Sequence, residues 1–271
     1  MHAGSGLAIE RRGACAVLRL DRPEALNALT YPMLGAMRDA VEAAVRDDEI
    51  AAIVVTGSGR GFCAGIDMQI LQDSAAGTAR HDGPGAAREG DPPALFGYLT
   101  RVPKPVIAAV NGVAAGGGFV LAMMCDLRFA AEEASFTTIF SRRALVAEHG
   151  TSWLLPRQVG TSRALDLLWS SRKVAAAEAL RIGLVDRVVA GDAVDAAVAY
   201  VEELRATVPP RTIALMKRQV YDHLQTDFDA AMRESQQLME AALAHPDATE
   251  GARAFVERRT PVFRPLGTFP A

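Results

Sequence analysis

The chain has 271 residues, half of them hydrophobic, with 29 Lys and Arg against 32 Asp and Glu. That length and apolar share build a large core, and the formal net charge of −3, spread along the chain without a basic run among aromatics, excludes a nucleic-acid-binding face. Cys15, Cys63 and Cys125 stand far apart and outside metal-ligand spacing, which predicts reduced, buried thiols rather than a metal centre or a disulfide framework.

The opening residues, MHAGSGLAIERRG, hold no apolar core of signal-peptide length, so the expected location is cytoplasmic. Residues 7–10 and 14–20 are short apolar or alternating runs around Arg11-Arg12-Gly13 and read as a β-hairpin. Thr30-Tyr31-Pro32 then caps and starts a helix to about Arg46, with Met33, Leu34, Met37, Val41, Ala44 and Val45 in helical period. Residues 50–56, IAAIVVT, have the β-branched character of a buried parallel strand. The glycines that follow it lack the G-x-G-x-x-G spacing, which argues against a dinucleotide site. Residues 72–93 are rich in Gly, Ala, Asp and Arg without an apolar period: a surface segment or loose helix, and the candidate lid. A helix is expected over 94–101.

Residues 104–126, KPVIAAVNGVAAGGGFVLAMMCD, read as a strand over 105–110, a turn at Asn111-Gly112, three glycines (Gly116, Gly117, Gly118) and a helix from about Phe119. Pro105, Asn111, the glycines and Asp126 argue against a membrane span. A helix that starts on glycines offers unpaired N–H groups and partial positive charge to a developing anion. A tight packing turn explains the same residues, and spacing alone does not choose. Further strands are expected near 127–130 and 185–189, a strand or turn beginning at 134–136, and helices over 151–159, 162–168 and 175–181. From 192 to about 257 the pattern is helical, broken at Pro209-Pro210 and His245-Pro246.

Four segments together resemble the enoyl-CoA hydratase/isomerase, or crotonase, superfamily. They are Arg22-Pro23 with Ala25-Leu26-Asn27-Ala28; Gly61-Phe62-Cys63-Ala64-Gly65-Ile66-Asp67; residues 105–118; and AAAEAL (175–180) with Gly183-Leu184-Val185. The resemblance covers roughly residues 7–260. It implies an α/β fold: a spiral of ββα turns with two roughly perpendicular sheets over residues 1–200, then a helical trimerisation region over 201–271. It implies an acyl-CoA thioester substrate, no separate cofactor, no metal, no membrane, and a homotrimer or dimer of trimers.

By position the resemblance makes the backbone N–H groups of Ile66 and Gly117 an oxyanion hole. It places coenzyme A near Ala25, Ala28, Ala64, Asp67 and Met68, and further substrate contacts at Val113, Gly116, Val120 and Phe140. Asp67 also reads as the cap of a following helix. Arg22 and Lys104 are either phosphate contacts or surface charge. Hydratases of the superfamily keep two glutamates, and this chain has Val120 and Phe140 at those positions. Glu148 falls where isomerases and a dehalogenase keep a catalytic acid, in the apolar company of Val120, Phe140, Val146 and Trp153. The expected chemistry is a double-bond shift from 3-enoyl-CoA to 2-enoyl-CoA with Glu148 as base and then acid. A hydratase or hydrolase on the same scaffold, and a non-catalytic CoA-thioester-binding protein, are the alternatives. Glu148 reads equally as a residue facing a helix dipole. His149 orients Glu148, carries a proton itself, or points away. Arg142 or Arg143 would oppose the base role if paired with Glu148.

Overall fold

The computed structural model describes residues 5–75, 91 and 94–267. The candidate lid therefore lies mostly outside the described residues.

The hairpin forms as β1 (Leu7–Arg12) and β2 (Cys15–Leu20), antiparallel. Helix α1 (Tyr31–Arg46) starts where Thr30 caps it, its hydroxyl accepting from the Met33 N–H. Such a cap stabilises a helix by about 1 kcal/mol. The chain then repeats one unit: a strand in a large sheet, a short strand in a small sheet, and a helix. The first unit is β3 (Ala52–Gly57), β4 (Gly61–Cys63) and α2 (Met68–Ala75). The second is β5 (Val106–Val110), β6 (Val113–Ala115) and α3 (Gly117–Met124). The third is β7 (Leu127–Ala131) and β8 (Ser135–Thr137), followed by α4 (Thr151–Val159) and α5 (Thr161–Ser170). After β9 (Val174–Ala175) and α6 (Ala176–Arg181), β10 (Arg187–Val189) completes the sheets.

The large sheet runs β1-β2-β3-β5-β7-β10, parallel apart from the hairpin; the small one runs β4-β6-β8-β9, with β8 and β9 antiparallel. Alternation along β3 sends Ile53 and Val55 into the main core and Ala52 and Val54 into a second core. That second core is closed by Ala193, Val194, Ala197 and Val201 of α7 (Ala193–Thr207). The central strands β3 and β5 are thus buried on both faces, which is why they read as unbroken apolar runs. A domain boundary at residue 200 would cut α7.

Helices α8 (Pro210–His223), α9 (Phe228–Leu243) and α10 (Pro246–Glu257) follow. The break between α8 and α9 is absent from the sequence expectation, although Asp227 caps α9 by accepting from the Ala230 N–H. One buried cation docks α8: Lys217 Nζ donates to the Leu99 and Lys104 carbonyls and to Asp126 Oδ2 at 2.7 Å. Tyr221 donates to the other oxygen of Asp126. Burial pushes the Lys217 pKa down, and Asp126 opposes that shift. The tail turns back on its own chain, with Phe263 against Gly251 and the Arg264 N–H donating to Asp247.

Three sequence expectations change here. Residues 94–101 form a 3-10 turn over Gly97–Arg101 rather than a helix. Lys104 is buried, and its Nζ donates to the Ala44 and Asp47 carbonyls at the end of α1, so it caps a helix and is not placed for a phosphate. Val146 is 80% exposed and lines no apolar pocket. The cysteines do behave as expected: all three are buried and unpaired, and burial pushes the Cys63 and Cys125 thiols up to about 12.

Candidate active site

Two loops and one helix start meet at the edge of the small sheet. The loop at residues 25–29 lies alongside residues 61–67. Ala64 N–H donates to Leu26 O, Leu29 N–H to Gly65 O at 2.7 Å, and Asp67 N–H to Leu29 O at 3.0 Å. Ala25, Ala28, Ala64 and Asp67 thereby lie on two adjoining segments. Leu29 engages residues 65 and 67 from one side. In an extended segment the residue between them turns its N–H the other way, toward Gly117. A methyl built on Gly117 would lie 3.4 Å from the Ile66 nitrogen, and one built on Gly65 would lie 3.2 Å from the Gly117 nitrogen. The two N–H groups are neighbours, and neither has an acceptor among the described residues.

The three glycines separate into three physical reasons. Gly116 adopts φ 52° and ψ −118°, a conformation closed to side chains. Its N–H donates to Thr137 O, which ties the turn to β8. Gly118 packs against β4, where an added Cβ would fall 2.1 Å from the Cys63 carbonyl oxygen. Gly117 has neither constraint: the space in front of it is open enough for a Cβ at 3.3–3.4 Å from its neighbours. It is the first residue of α3, where N–H groups are unpaired and the dipole is positive.

Asn27 holds this arrangement, and the sequence pattern does not single it out. It is fully buried at φ 59°, a left-handed geometry asparagine tolerates. Its Oδ1 accepts from the Arg22 N–H, and its Nδ2 donates to the Ser58 and Gly61 carbonyls. Asn111 does the same from the other side, donating to Gly59 O and Gly61 O while accepting from the Gly57 N–H. A side chain that satisfies three backbone groups in a loop is invisible to periodicity.

Asp67 caps the following helix, as one of its two readings expects, and is also ion-paired. Its Oδ1 accepts from the Gln69 N–H at the start of α2, and its Oδ2 takes Arg22 Nη1 at 2.8 Å. Arg22, and then that backbone N–H, hold its carboxyl below the usual carboxylate range. Arg22 also donates to Ala28 O, so it ties the two loops together. Met68 is exposed at the start of α2, and Val113 is half-buried on β6 against Gly61.

Across α3 lies the 148–150 turn. Gly117, Val120 and Met124 fall on one face of α3 by helical spacing, and a methyl on Gly150 would lie 3.2 Å from Met124 Cε. Glu148 is half-buried and has no side-chain hydrogen bond or ion pair among the described residues. Arg142 bonds the Ser170 carbonyl and Arg143 lies 4.0 Å from the Met68 sulfur, so neither neutralises Glu148. Val120 and Phe140 are both buried and apolar. His149 sits at φ 49°, and its Nδ1 accepts from the Leu95 N–H at 3.4 Å. Burial pushes its pKa down, Glu148 opposing, and the neutral ring that results can accept at Nδ1 while carrying its proton on Nε2. Among the described residues no His, Cys, Asp and Glu cluster could hold a metal, and no helix is long and apolar enough to cross a membrane.

The enoyl-CoA hydratase/isomerase family model matches residues 10–265. The chain belongs to that family. It is 34% identical to the 1,2-epoxyphenylacetyl-CoA isomerase of Escherichia coli strain K12, over 91% of this chain and 93% of that one. It is 35% identical to the crotonyl-CoA hydratase of Syntrophomonas wolfei, over 95% and 97% of the two chains. The structure of an enoyl-CoA hydratase from Polaromonas sp. JS666 superposes with a TM-score of 0.85 at 30% identity, covering 95% of this chain and 99% of that one. The two mixed sheets with C-terminal helices are thus the fold of this enoyl-CoA hydratase/isomerase family. A family acyl-CoA enzyme has to hold a thioester, and relatives of similar identity are named for isomerase and for hydratase activity.

Proposed function

We propose that this family member is an enoyl-CoA isomerase, moving a double bond from C3 to C2 through an enolate. One observation carries the reading. Val120 and Phe140, where water-adding members keep glutamates, are apolar and buried, while Glu148 is half-buried, without a side-chain partner among the described residues, just ahead of α4, which packs on α3. The Ile66 and Gly117 N–H groups donate to the thioester oxygen as charge grows on it. A preorganised donor of this kind is worth roughly 3–4 kcal/mol in the transition state. Glu148 takes the C2 proton, the electrons pass through the enolate, and the proton returns at C4. No water is consumed. The relative named for isomerising 1,2-epoxyphenylacetyl-CoA supports isomerase chemistry on this scaffold.

Water addition is the second reading, favoured by the relatives named as hydratases; Glu148 or His149 would then activate the water. Purified protein offered 3-enoyl-CoA and 2-enoyl-CoA separately distinguishes the two. The expected product is 2-enoyl-CoA from the first substrate, and from the second only the minor equilibrium share of 3-enoyl-CoA with no water adduct. A product heavier by one water, without double-bond migration, overturns the proposal.

We also infer a cytoplasmic homotrimer or dimer of trimers. Met216, Val220, Phe228, Met232 and Leu243 on α8 and α9 are exposed apolar side chains, more than a lone chain keeps wet without reason. Light scattering should give three or six times 28.8 kDa. A monomer mass contradicts it.

A further inference from the structure

Glu148 comes at the end of a loosely tied stretch. Beyond β8 the chain passes through a 3-10 turn at Ser141–Arg143, and the Leu145 N–H still donates to Phe140 O. After that, residues 146–148 donate no backbone hydrogen bond among the described residues, and Val146 is exposed. The chain is caught again at a four-residue turn from Glu148 to Thr151, closed by the Thr151 N–H on Glu148 O at 3.0 Å. Its two central residues both have positive φ, 49° at His149 and 77° at Gly150. That is the pattern of a type I′ turn, whose usual central pair is asparagine and glycine.

Gly150 fits that usage, and it packs on Met124 of α3. His149 departs from it. A large side chain is held in the left-handed region, where glycine would rest without strain. The imidazole makes the one side-chain hydrogen bond of residues 144–150 among the described residues, its Nδ1 accepting from the Leu95 N–H at 3.4 Å. Burial lowers the ring's pKa, Glu148 opposing, which keeps Nδ1 bare and able to accept at neutral pH. Leu95 is itself well anchored. It is the second residue of a turn closed by the Gly97 N–H on Ala94 O, and Ala94 and Leu95 both pack against the main core. The 3-10 turn that follows packs on α3.

A base has to be held within about 0.5 Å of its working position. With residues 146–148 untied, Glu148 takes its place from the turn. Gly150 seats that turn on α3, and His149 ties it to a loop 54 residues away in sequence.

We propose that His149 is a positioning residue for Glu148: its Nδ1 latches the turn to the Leu95 backbone, and the ring itself transfers no proton. The inference rests on the role of Glu148 in the proposed function and names the residue that holds it.

Three replacements test it. Asparagine carries Oδ1 as many bonds from Cα as Nδ1 stands and tolerates positive φ, so it keeps the acceptor. Glutamine carries its polar atoms one bond further out, in the place of Nε2. Glycine suits the backbone and has no acceptor. Two readouts are taken: NMR exchange of the Leu95 amide proton in the free protein, and kcat and KM for 3-enoyl-CoA. In His149→Gln and His149→Gly the Leu95 amide should exchange at least roughly tenfold faster than in wild type. In both, kcat should fall roughly ten- to a hundredfold, the effect of misplacing a reacting group by about 1 Å, while KM stays within about threefold. His149→Asn should keep the slow exchange and recover kcat to within about threefold of wild type. Leu95 exchange that His149→Gly leaves unchanged overturns the proposal, as does faster exchange with full kcat. So does a His149→Asn protein that keeps the slow exchange yet is as impaired as His149→Gly, which would make Nε2 the working atom. A wild type that turns over no 3-enoyl-CoA fails on the isomerase reading instead. The exchange rates, taken without substrate, tell that failure from a missing latch.

Discussion

Replacing Glu148 with Gln is expected to lower kcat for 3-enoyl-CoA isomerisation by roughly 10²–10⁴, the usual contribution of a positioned acid–base group. KM should change only a few-fold, because under the proposed function the thioester is held by the Ile66 and Gly117 N–H groups and by the 25–29 and 64–68 loops. Melting temperature should barely move, since Glu148 makes no side-chain hydrogen bond or ion pair among the described residues. The half-buried amide keeps the volume of the acid and cannot accept the C2 proton. A loss of activity accompanied by a comparable loss of stability would instead mark Glu148 as a residue serving the dipole of α4.

Gly117→Ala is expected to separate folding from activity in the same way. Alanine favours the first turn of a helix over glycine by up to ~1 kcal/mol. The new methyl would meet Leu29 Cδ1 at 3.3 Å and Ile66 Cδ1 at 3.4 Å, which small side-chain movements relieve, and the Ile66 backbone nitrogen at 3.4 Å, at the edge of ordinary contact. Stability should therefore stay within about 1 kcal/mol of wild type, whereas the methyl stands against the Ile66 N–H where the thioester oxygen belongs. The expected loss in kcat is roughly 10²–10³, comparable to losing one oxyanion donor, because the methyl obstructs access to the Ile66 N–H while alanine keeps its own. Gly118→Ala is the contrast: its methyl collides with the Cys63 carbonyl at 2.1 Å, and the protein should fail to fold. Alanine keeps the backbone N–H, so full activity in Gly117→Ala would show that the thioester oxygen does not sit where the methyl stands.

These contrasts indicate where sequence was a sufficient guide. The hairpin, the Thr30-capped helix and the strand over 106–110 were legible because their causes are local: alternation, a cap and a β-branched run. Strands β4, β6 and β9 have two or three residues each, too few to show a period. The glycine triplet reads equally as an anion site or a packing turn, and only the facing chain at Cys63 and Ile66 tells the tightly packed Gly118 from Gly117. Lys104 looked like a free cation because its acceptors, the Ala44 and Asp47 carbonyls, lie about 60 residues away in sequence. Asn27, Asn111 and the Leu95–His149 contact share that character. Each joins loops distant in the chain, and no local pattern announces them.

The most direct test of enolate chemistry without water addition is a proton NMR time course in D2O, with wild-type protein and a 3-enoyl-CoA. The expected result is migration of the vinyl signals to C2 and C3, with no 3-hydroxyacyl-CoA and with the Glu148→Gln protein silent. Accumulation of 3-hydroxyacyl-CoA from 2-enoyl-CoA, at a rate that Glu148→Gln leaves unchanged, would contradict it.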